Sequence, residues 1–593
     1  MITRRLLVFV SAFVLLAVIP TAAQRKKKPE PAPAAPAAAP APAPAFVTAA
    51  QLKGVRARSI GPAIMSGRVS DIAIDPANPG TFYVGLATGG IFKTENYVTN
   101  FSPIFDDQAV ASIGAIAIAP SDPKVLWVGT GEANDRNSSG WGNGVYRSTD
   151  GGGSWTNVGL KESKTVARIV VKPDDPKTAW VAAMGDLWTP GGERGLYKTS
   201  DGGTTWRRVL EAPTNKDVTG CGDVAIDPSN PNTLYAALYA RRRTPYSFTA
   251  GPAASGGNDV GGVFKSTDGG ETWKKLTNGL VGSSQRIALA VYAKNPKIVY
   301  AEIQSDEGGT GPDDITSKKG GVFRSDDGGE SWRRMSALNP RPFYFSQIRV
   351  DPSNEKRVYV LGYTLHVSDD GGVTWREDLF DKVHPDCHAF AIDPKDPKRL
   401  IIGTDGGAYQ SFEGGRNWYH LNKFPAGEFY RIAVDNQTPY RIAGGLQDNL
   451  NWVGPSATHS KDGIMNSDWT NIGGGDGFYC IFDPDDPNIV YAESQSGFVH
   501  RFNLKSGALK VLRPEPAEGQ KGFRFHWNSP LIPSRHTKGV MYLAGNRVFK
   551  LTNRAEEWKT ISPELSARDP EKIDTIGSGA ETYGAVYTMG EWP

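Results

Sequence analysis

The residues best suited to chemistry stand in the second half of the 593-residue chain. Two histidines flank an aspartate in the segment HPDCH, and three further aspartates stand beside glycine or asparagine. Paired carboxylates can cleave a glycosidic bond, one as acid and the other as base or nucleophile. The candidate catalytic residues are Asp405, Asp448 and Asp476, and the candidate binding residues are His384, Asp386, His388 and Gln447.

Each group also has a structural interpretation. Aspartates next to glycine or asparagine are typical of tight turns, where the carboxylate accepts backbone N–H groups. His384, Asp386 and His388 alternate, so an extended segment would place all three on one side, as a metal site could use. A hydrogen-bonded polar loop is the alternative. The metal content therefore stays open, and the sequence indicates no cofactor.

Two tryptophans, Trp141 and Trp188, stand in variable loops. Their amphipathic rings could stack on sugar rings, or they could belong to the core. We include both among the candidate binding residues.

A β-hairpin of the type apolar strand, Asp-Pro turn, aromatic strand recurs along the chain. Two clear copies are IAIDPANPGTFYV at 72–84 and VAIDPSNPNTLYA at 224–236. With degraded copies the pattern occurs ten times. A regular period of this length indicates an architecture that grows by adding units.

A second hairpin, the Asp-box, follows in most repeats and reads Ser/Thr-x-Asp-x-Gly-x-Ser/Thr-Trp, as in STDGGGSW at 148–155. The carboxylate can accept N–H groups inside the turn, glycines provide positive φ, and the tryptophan can wedge between sheets. We therefore assign a structural role to the box aspartates, which are Asp150, Asp201, Asp268, Asp327 and Asp370.

Two hairpins per repeat predict an all-β fold, a β-propeller of about ten four-stranded blades. The alternative is a seven-bladed propeller followed by an incomplete second one. In either case the Asp-Pro turns and Asp-boxes share one end of the blades. The loops between the second and third strands lie at the other end, with the connectors between blades, and they are longer and more variable. We expect function on this loop face.

The repeats resemble those of exported bacterial BNR-repeat proteins, the sortilin N-terminal domain and the propellers of xyloglucan-degrading glycosyl hydrolases. The segments GGLQDNLNW at 444–452 and GGGDGF at 473–478 strengthen this resemblance. It implies a propeller that binds or hydrolyses a polymer. The Arg-Ile-Pro motif of sialidases is missing, so the resemblance does not extend to sialidase activity.

The composition predicts the organisation of the chain. Residues 1–23 read as a signal peptide, 24–45 as a basic and Ala-Pro-rich linker, 46–580 as propeller repeats, and 581–593 as the start of a further, truncated repeat. An exported protein, periplasmic or extracellular and without a transmembrane segment after signal removal, is the expectation. The net charge of +3 comes from the first 45 residues, which hold six Lys/Arg and one acid. A near-neutral body argues against nucleic acid as a partner.

Three functions fit this pattern. The first is a propeller that binds an extended polymer, polysaccharide or peptide, on its loop face. The second is a glycoside hydrolase of the BNR-repeat type with a carboxylate pair, and the third is a surface scaffold with a large apolar patch. The hydrolase alone requires two carboxyl groups about 5 to 10 Å apart in an open groove.

Overall fold

The computed structural model describes residues 51, 55, 57–136, 139–245, 247–258, 260–305, 319–567, 569–573 and 583–592. The signal peptide and the Ala-Pro-rich linker expected at residues 1–45 lie outside the described residues. The chain divides into two compact units, Met1–Arg58 and Ser59–Pro593. Every element described below belongs to the second unit.

Ten antiparallel sheets, one per repeat, make up this unit, as the sequence predicts. We number them as blades 1 to 10. The strands of blades 1 to 4 are β1 (Val69–Ile74), β2 (Phe82–Leu86), β3 (Gly90–Thr94) and β4 (Ser102–Pro103); β5 (Ile113–Ile118), β6 (Leu126–Thr130), β7 (Val145–Ser148) and β8 (Thr156–Gly159); β9 (Val166–Lys172), β10 (Asp175–Ala183), β11 (Gly195–Thr199) and β12 (Arg207–Leu210); and β13 (Thr219–Ile226), β14 (Leu234–Thr244), β15 (Ser247–Ala250), β16 (Gly262–Ser266) and β17 (Lys274–Leu276).

The strands of blades 5 to 7 are β18 (Ile287–Val291), β19 (Val299–Ile303), β20 (Gly321–Ser325) and β21 (Arg333–Ser336); β22 (Gln347–Asp351), β23 (Asn354–Leu361) and β24 (Leu365–Ser368); and β25 (Cys387–Ile392), β26 (Leu400–Thr404), β27 (Gly407–Ser411) and β28 (Tyr419–His420). Those of blades 8 to 10 are β29 (Phe429–Val434), β30 (Arg441–Leu446), β31 (Asn451–Pro455) and β32 (Thr470–Gly473); β33 (Gly477–Phe482), β34 (Ile489–Ser494), β35 (Phe498–Asn503) and β36 (Leu509–Leu512); and β37 (Leu531–Pro533), β38 (Met541–Ala544), β39 (Val548–Thr552) and β40 (Glu557–Thr560).

Helix is almost absent from the described residues. One four-residue α-helix, α1, spans Pro570–Ile573, and 3₁₀ turns occur at Lys161–Ser163, Gly251–Ser255, Asn466–Asp468 and Gln495–Gly497. Among the described residues no helix has the length and apolar character needed to cross a bilayer.

Blade shape follows from burial on both faces. The second strands of most blades are continuous apolar runs, such as FYVGL in β2 and LWVGT in β6, and every residue in them is buried. Such a strand lies in the middle of its sheet and is covered by a neighbouring blade on each side. Eight sheets have four strands; in the described residues blade 6 has three, and blade 4 has β15 in addition.

The Asp-boxes close the outer hairpins. In blade 2, Asp150 accepts the Ser148 hydroxyl at 2.7 Å and the Ser154 amide at 2.9 Å. The Ser154 and Ser148 hydroxyls lower the pKa of Asp150 to about 2. Trp155 donates from Nε1 to the carbonyl of Ile104 at 2.7 Å, which ties blade 2 to blade 1. The same carboxylate pattern recurs at Asp201, Asp268, Asp327 and Asp370.

Seven blades close the first ring. The first strands of blades 1 to 7 contact one another in succession, and β25 of blade 7 contacts β1 of blade 1. One hydrophobic cluster spans this junction and contains Val69, Phe82 and Val84 with Ala389 and Ile401. The ten blades therefore follow the second arrangement that the sequence left open, a seven-bladed propeller followed by an incomplete one.

Blades 8 to 10 form the second sector, in which β29, β33 and β37 succeed one another. Strand β29 leaves Phe429, Ile432 and Val434 exposed, whereas the first strands of the closed ring are largely buried. The segment predicted to start another repeat contributes no strand in its described part. Glu591 instead accepts hydrogen bonds from Ser534 and Tyr542 of blade 10.

An arginine fastens the ring at its Asp-Pro end. Arg399 is 2% exposed and donates to the carbonyl of Pro79 in blade 1 at 2.6 Å and to Asp393 at 3.1 Å. Its guanidinium also lies over the rings of Phe82 and Tyr97. The contact joins two blades about 320 residues apart in the chain.

Arg399→Ala should lower the free energy of unfolding by about 3 kcal/mol, because it removes the contact to blade 1 and leaves the Asp393 carboxylate buried without its cation. Urea unfolding measures the loss. The control is Arg357→Ala, whose ion pair with Asp369 is half exposed and should contribute about 0–1 kcal/mol. Equal losses in the two variants would contradict the assignment of Arg399 to ring closure.

Two central strands bury a glutamate. Both contain the sequence VYAE, which places Glu302 in blade 5 and Glu493 in blade 9 at the same position, each fully buried. Glu493 accepts the amide of Ser529, whereas neither oxygen of Glu302 has a hydrogen-bond partner in the described structure. Burial raises the pKa of Glu302 to about 8, so the side chain is neutral at pH 7.

Because the folded state holds this proton more tightly than the unfolded state, stability should fall as pH rises from about 4.5 to about 8. Glu302→Gln removes the titration and should flatten this dependence, with a relative gain of about 1–3 kcal/mol at pH 8 compared with pH 4.5. Thermal unfolding across that range is the measurement. Glu518→Gln, at an exposed position, should leave the pH dependence of the parent unchanged.

Candidate functional site

The candidate residues of blades 7 and 8 meet on the loop face, beside the junction between blades 7 and 1. Asp405 follows β26, and Arg68 directly precedes β1. Arg68 donates from Nε to Oδ1 of Asp405 at 2.9 Å and from Nη2 to Oδ2 at 3.2 Å. Both side chains are 1% exposed, so this is a fully buried ion pair across the ring closure.

Tyr344 and His388 complete the surroundings of Asp405. The Tyr344 hydroxyl donates to Asp405 Oδ2 at 2.6 Å, and His388 Nε2 lies 3.0 Å from Oδ1. Burial alone would raise the pKa of Asp405, but the Arg68 and His388 side chains hold that pKa well below its usual range. Asp405 is therefore an ionised carboxylate without access to solvent.

The loop between β6 and β7 brings a second layer of polar groups. Glu132 accepts from Arg68 at 3.3 Å, and Asn134 donates to Glu132 at 2.8 Å. Arg286 donates to Asn134 Oδ1 at 2.8 Å. Glu132, Asn134 and Arg286 also line a small cavity. The network joins blades 1, 2 and 5 around the site.

Asp448 and Asp476 lie next to each other on the blade 8 side. The Asp448 amide donates to Oδ1 of Asp476 at 2.7 Å, and Trp527 Nε1 donates to Oδ2 at 2.6 Å. Each carboxylate oxygen of Asp476 thus accepts a hydrogen bond, as expected for an aspartate in a turn. Burial, followed by the charges of Asp405 and Asp476, raises the pKa of Asp448 well above its usual range.

The segment HPDCH does not present three side chains to one side. Asp386 has φ of 65°, which breaks the extended conformation that an alternating arrangement needs. His388 is buried against Asp405, and His384 contacts the carbonyl of Asp448 through Nε2 at 3.0 Å. Among the described residues, no group of three or more His, Cys, Asp or Glu has an arrangement that could hold a metal ion.

The remaining binding candidates differ in exposure. Gln447 is buried and donates to Asp448 at 3.1 Å. Trp141 is 68% exposed, in the same β6–β7 loop as Glu132, with the Lys164 ammonium over its ring. Trp188 packs against a cluster around Phe343 and Phe345, so most of its ring belongs to the core of the loop face.

Strained backbone conformations concentrate around the site. Arg341, Ser346, Asp386, Asp448 and Leu450 all have positive φ, although none is a glycine. Such conformations cost of order 1–3 kcal/mol each and persist where the surrounding structure enforces them, often at functional sites. The backbone here is held in a shape that local preference does not favour.

The carboxyl geometry restricts the chemistry. Asp448 lies close enough to Asp405 for the Asp405 charge to contribute to raising the Asp448 pKa. A glycosidase pair stands about 5 to 9.5 Å apart to admit the sugar and a water molecule. The pKa values of these two carboxyl groups are shifted in opposite directions, that of Asp405 downward and that of Asp448 upward.

Sequence reasoning missed the cations and the tyrosine of the site. Arg68, Arg136 and Tyr344 lie far from the HPDCH segment in sequence and carry no motif. The Tyr344 hydroxyl accepts a hydrogen bond from Arg136 at 2.7 Å and donates one to Asp405. The one available signal is the run RPFYFS at 341–346, an aromatic cluster in a connector where polar residues are usual.

The two aspartates should respond in opposite ways to neutral substitution. Asp405→Asn leaves Arg68 buried without its anion and should lower the free energy of unfolding by about 3–5 kcal/mol. Asp448→Asn replaces an already protonated group and should change it by less than about 1 kcal/mol at pH 5. Urea unfolding of both variants at pH 5 makes the comparison. A larger loss for Asp448→Asn would show that the ionisation states are the reverse of those inferred.

Comparisons with known proteins agree with the fold. A family model described as "Sortilin, neurotensin receptor 3" matches residues 143–312. A xyloglucanase of Paenibacillus sp is 24% identical over 336 residues, which are 50% of this chain and 30% of that protein. An oligoxyloglucan-reducing end-specific xyloglucanase of Emericella nidulans is 25% identical over 299 residues, 44% of this chain and 35% of that protein. The matched segments thus span about a third of these relatives.

Two further matches are an assembly lipoprotein and a solved GH74 enzyme. The photosystem II assembly lipoprotein Ycf48 of Picosynechococcus sp. is 24% identical over 323 residues, 49% of this chain and 85% of that protein. Among solved structures, the GH74 enzyme of Niastella koreensis superposes with a TM-score of 0.57 at 16% identity, over 86% of this chain and 75% of that chain. The chain is similar to sortilin-like and xyloglucanase-type propellers, which confirms the resemblance drawn from the Asp-boxes.

Proposed function

We propose that this protein binds an extended polysaccharide across the loop face of its seven-bladed propeller. The observation that carries the proposal is a set of exposed aromatic rings on that face. Trp141 is 68% exposed and Tyr363 61%, and each lies in a loop between the second and third strands of a blade of this ring. Flat amphipathic rings of this kind can bind the apolar faces of sugars while their polar edges stay wet.

The polar cluster supports binding over catalysis. Asp405 is enclosed by Arg68, Tyr344 and His388, and Asp476 is saturated by its two donors. Burial, followed by the charges of Asp405 and Asp476, raises the pKa of Asp448 well above its usual range. None of these three candidate carboxyl groups is an ionised base facing solvent. A hydrogen-bonding surface that orients sugar hydroxyls fits this state better than a hydrolytic pair.

The similarity to xyloglucanases supports a polysaccharide as the ligand. The apolar h-region at the N-terminus of the sequence supports export, which places the protein where such polymers occur.

Glycoside hydrolysis is the second candidate function, and one observation favours it. Asp405 and Asp448 lie side by side with their pKa values shifted in opposite directions, as in acid–base pairs. In that case Asp448 would act as the general acid. Release of reducing ends from xyloglucan by the parent, abolished in a folded Asp448→Ala variant, would establish hydrolysis.

Binding is tested on purified protein with xyloglucan and other β-glucan oligosaccharides by isothermal titration calorimetry. Trp141→Ala and Tyr363→Ala should each weaken binding about tenfold, the equivalent of about 1.4 kcal/mol. The matched control is Tyr419→Ala, which removes a 56% exposed ring on the outer strand of blade 7 and should leave affinity unchanged. Binding of peptides with no affinity for any glycan would contradict the proposal.

A further inference from the structure

Three arginines converge on the connector between blades 5 and 6 without carboxylate partners. In the described structure, Arg68 and Arg241 are ion-paired on this face. In contrast, Arg136, Arg286 and Arg341 have no carboxylate oxygen within 4.0 Å among the described residues. Each of the three contacts the segment Arg341–Ser346 or belongs to it.

Arg136 and Arg341 surround one aromatic ring. The centre of the Arg136 guanidinium lies 4.6 Å from the centroid of Tyr344, and that of Arg341 lies 5.1 Å from it. The Tyr344 ring thus orients both cations, as guanidinium groups stacked on aromatic faces usually are. The two cations are therefore both held next to the same ring.

Both guanidiniums keep unused donors in buried positions. The Nε atoms of Arg136 and Arg341 are buried and have no hydrogen-bond acceptor. Arg136 as a residue is only 8% exposed, and its one acceptor is the Tyr344 hydroxyl, at 2.7 Å. A buried cation with an empty donor is costly, and its retention indicates that another group satisfies it.

The acids nearest to these cations, Asp386 and Asp448, are shifted towards their neutral forms. Burial and the Asp405 charge raise the pKa of Asp386 and of Asp448. A protonated carboxyl group offers an O–H donor. In addition, the Oδ1 atom of Asp386 is buried without a partner. The site therefore presents mainly donors and positive charge to whatever occupies it.

We propose that Arg136 and Arg341 bind a carboxylate of the ligand, so that the polysaccharide recognised on the loop face is an acidic one carrying uronic acid residues. This inference rests on the proposed polysaccharide-binding function and deepens it. The planar fork of arginine matches the two oxygens of a carboxylate, and such charge-assisted pairs are stronger than neutral hydrogen bonds. A neutral sugar offers no negative charge to offset these two cations.

Tyr363 provides a place for the ring that carries the carboxylate. Its backbone carbonyl accepts the Asp386 amide at 3.0 Å, which fixes Tyr363 beside the cluster, while its side chain remains 61% exposed. A uronic acid could stack on this ring and direct its carboxylate towards Arg341. In this arrangement the exposed Tyr363 ring binds the face of the sugar, and the arginines bind the carboxylate of the same sugar.

The test compares an acidic and a neutral oligosaccharide on the same protein. Titration calorimetry with oligogalacturonate and with a xyloglucan oligosaccharide, at 20 and at 200 mM NaCl, should give at least about tenfold tighter binding of the acidic probe at low salt. Salt should weaken binding of the acidic probe and leave binding of the neutral one unchanged. Arg341→Gln should remove the preference for the acidic probe.

Three further variants make the result specific. Arg136→Gln should have the same effect as Arg341→Gln, and Arg341→Lys should restore only part of the preference, since lysine keeps the charge but not the fork. Arg416→Gln, at an exposed position in the Asp-box of blade 7, is the control and should bind like the parent. Thermal unfolding confirms that each variant is folded.

The outcomes separate this inference from the proposed function. Equal affinity for both probes, unchanged in Arg341→Gln, would overturn the acidic ligand and leave polysaccharide binding intact. Failure to bind either probe or any other glycan would remove both proposals. Binding of a short peptide through its terminal carboxylate, lost in Arg341→Gln and without glycan binding, would show that the arginines recognise a carboxylate from another source and would overturn the acidic polysaccharide.

Discussion

The buried ion pair between Arg68 and Asp405 is the contact on which both the ring and its loop face depend. Arg68 directly precedes the first strand of blade 1, and Asp405 directly follows the second strand of blade 7. Their side chains form an ion pair that has no access to solvent. A buried pair of this kind stabilises little by itself, but the loss of either partner is severe. The junction between blades 7 and 1 is thereby specified by charge as well as by packing.

From this pair the electrostatics of the loop face follow. Arg68 holds Asp405 in its charged form, and burial together with that charge raises the pKa of Asp448 and of Asp386. Among the described residues, no carboxylate oxygen lies within 4.0 Å of a side-chain nitrogen of Arg136 or Arg341. A stretch of sequence rich in carboxyl residues thus forms part of a site whose unpaired groups are the hydrogen-bond donors of Arg136 and Arg341.

The sequence predicted the repeating part of the fold well, because the contacts that form the hairpins of each repeat are local. The Asp-Pro turns and the Asp-boxes close hairpins through contacts within a few residues, as Asp150 does with Ser148 and Ser154. Ring size is a different kind of property. It depends on which strand covers β1, and ten similar repeats give no local sign that the seventh blade does so.

The sequence predicted only the part of the candidate site whose residues lie near one another in the chain. Its carboxyl residues cluster along the sequence in blades 7 and 8, and the structure brings Asp405, Asp448 and Asp476 together. Its cations and its tyrosine come from blades 1, 2 and the connector after blade 5, and only the closed ring makes them neighbours. The roles expected for Asp405 and Asp476 as solvent-facing catalysts also could not be judged before their partners were known.

Closure of the ring also sets the order in which the protein can mature. Arg68 and Asp405 are 337 residues apart, so the contact that completes the first propeller is among its most non-local ones. Local hairpins can form early, whereas a contact of this span carries a large loop-closure entropy and is slow to form. A partly folded chain with separate blades would therefore have neither the buried anion nor the arginine site, and ligand binding would report that folding is complete.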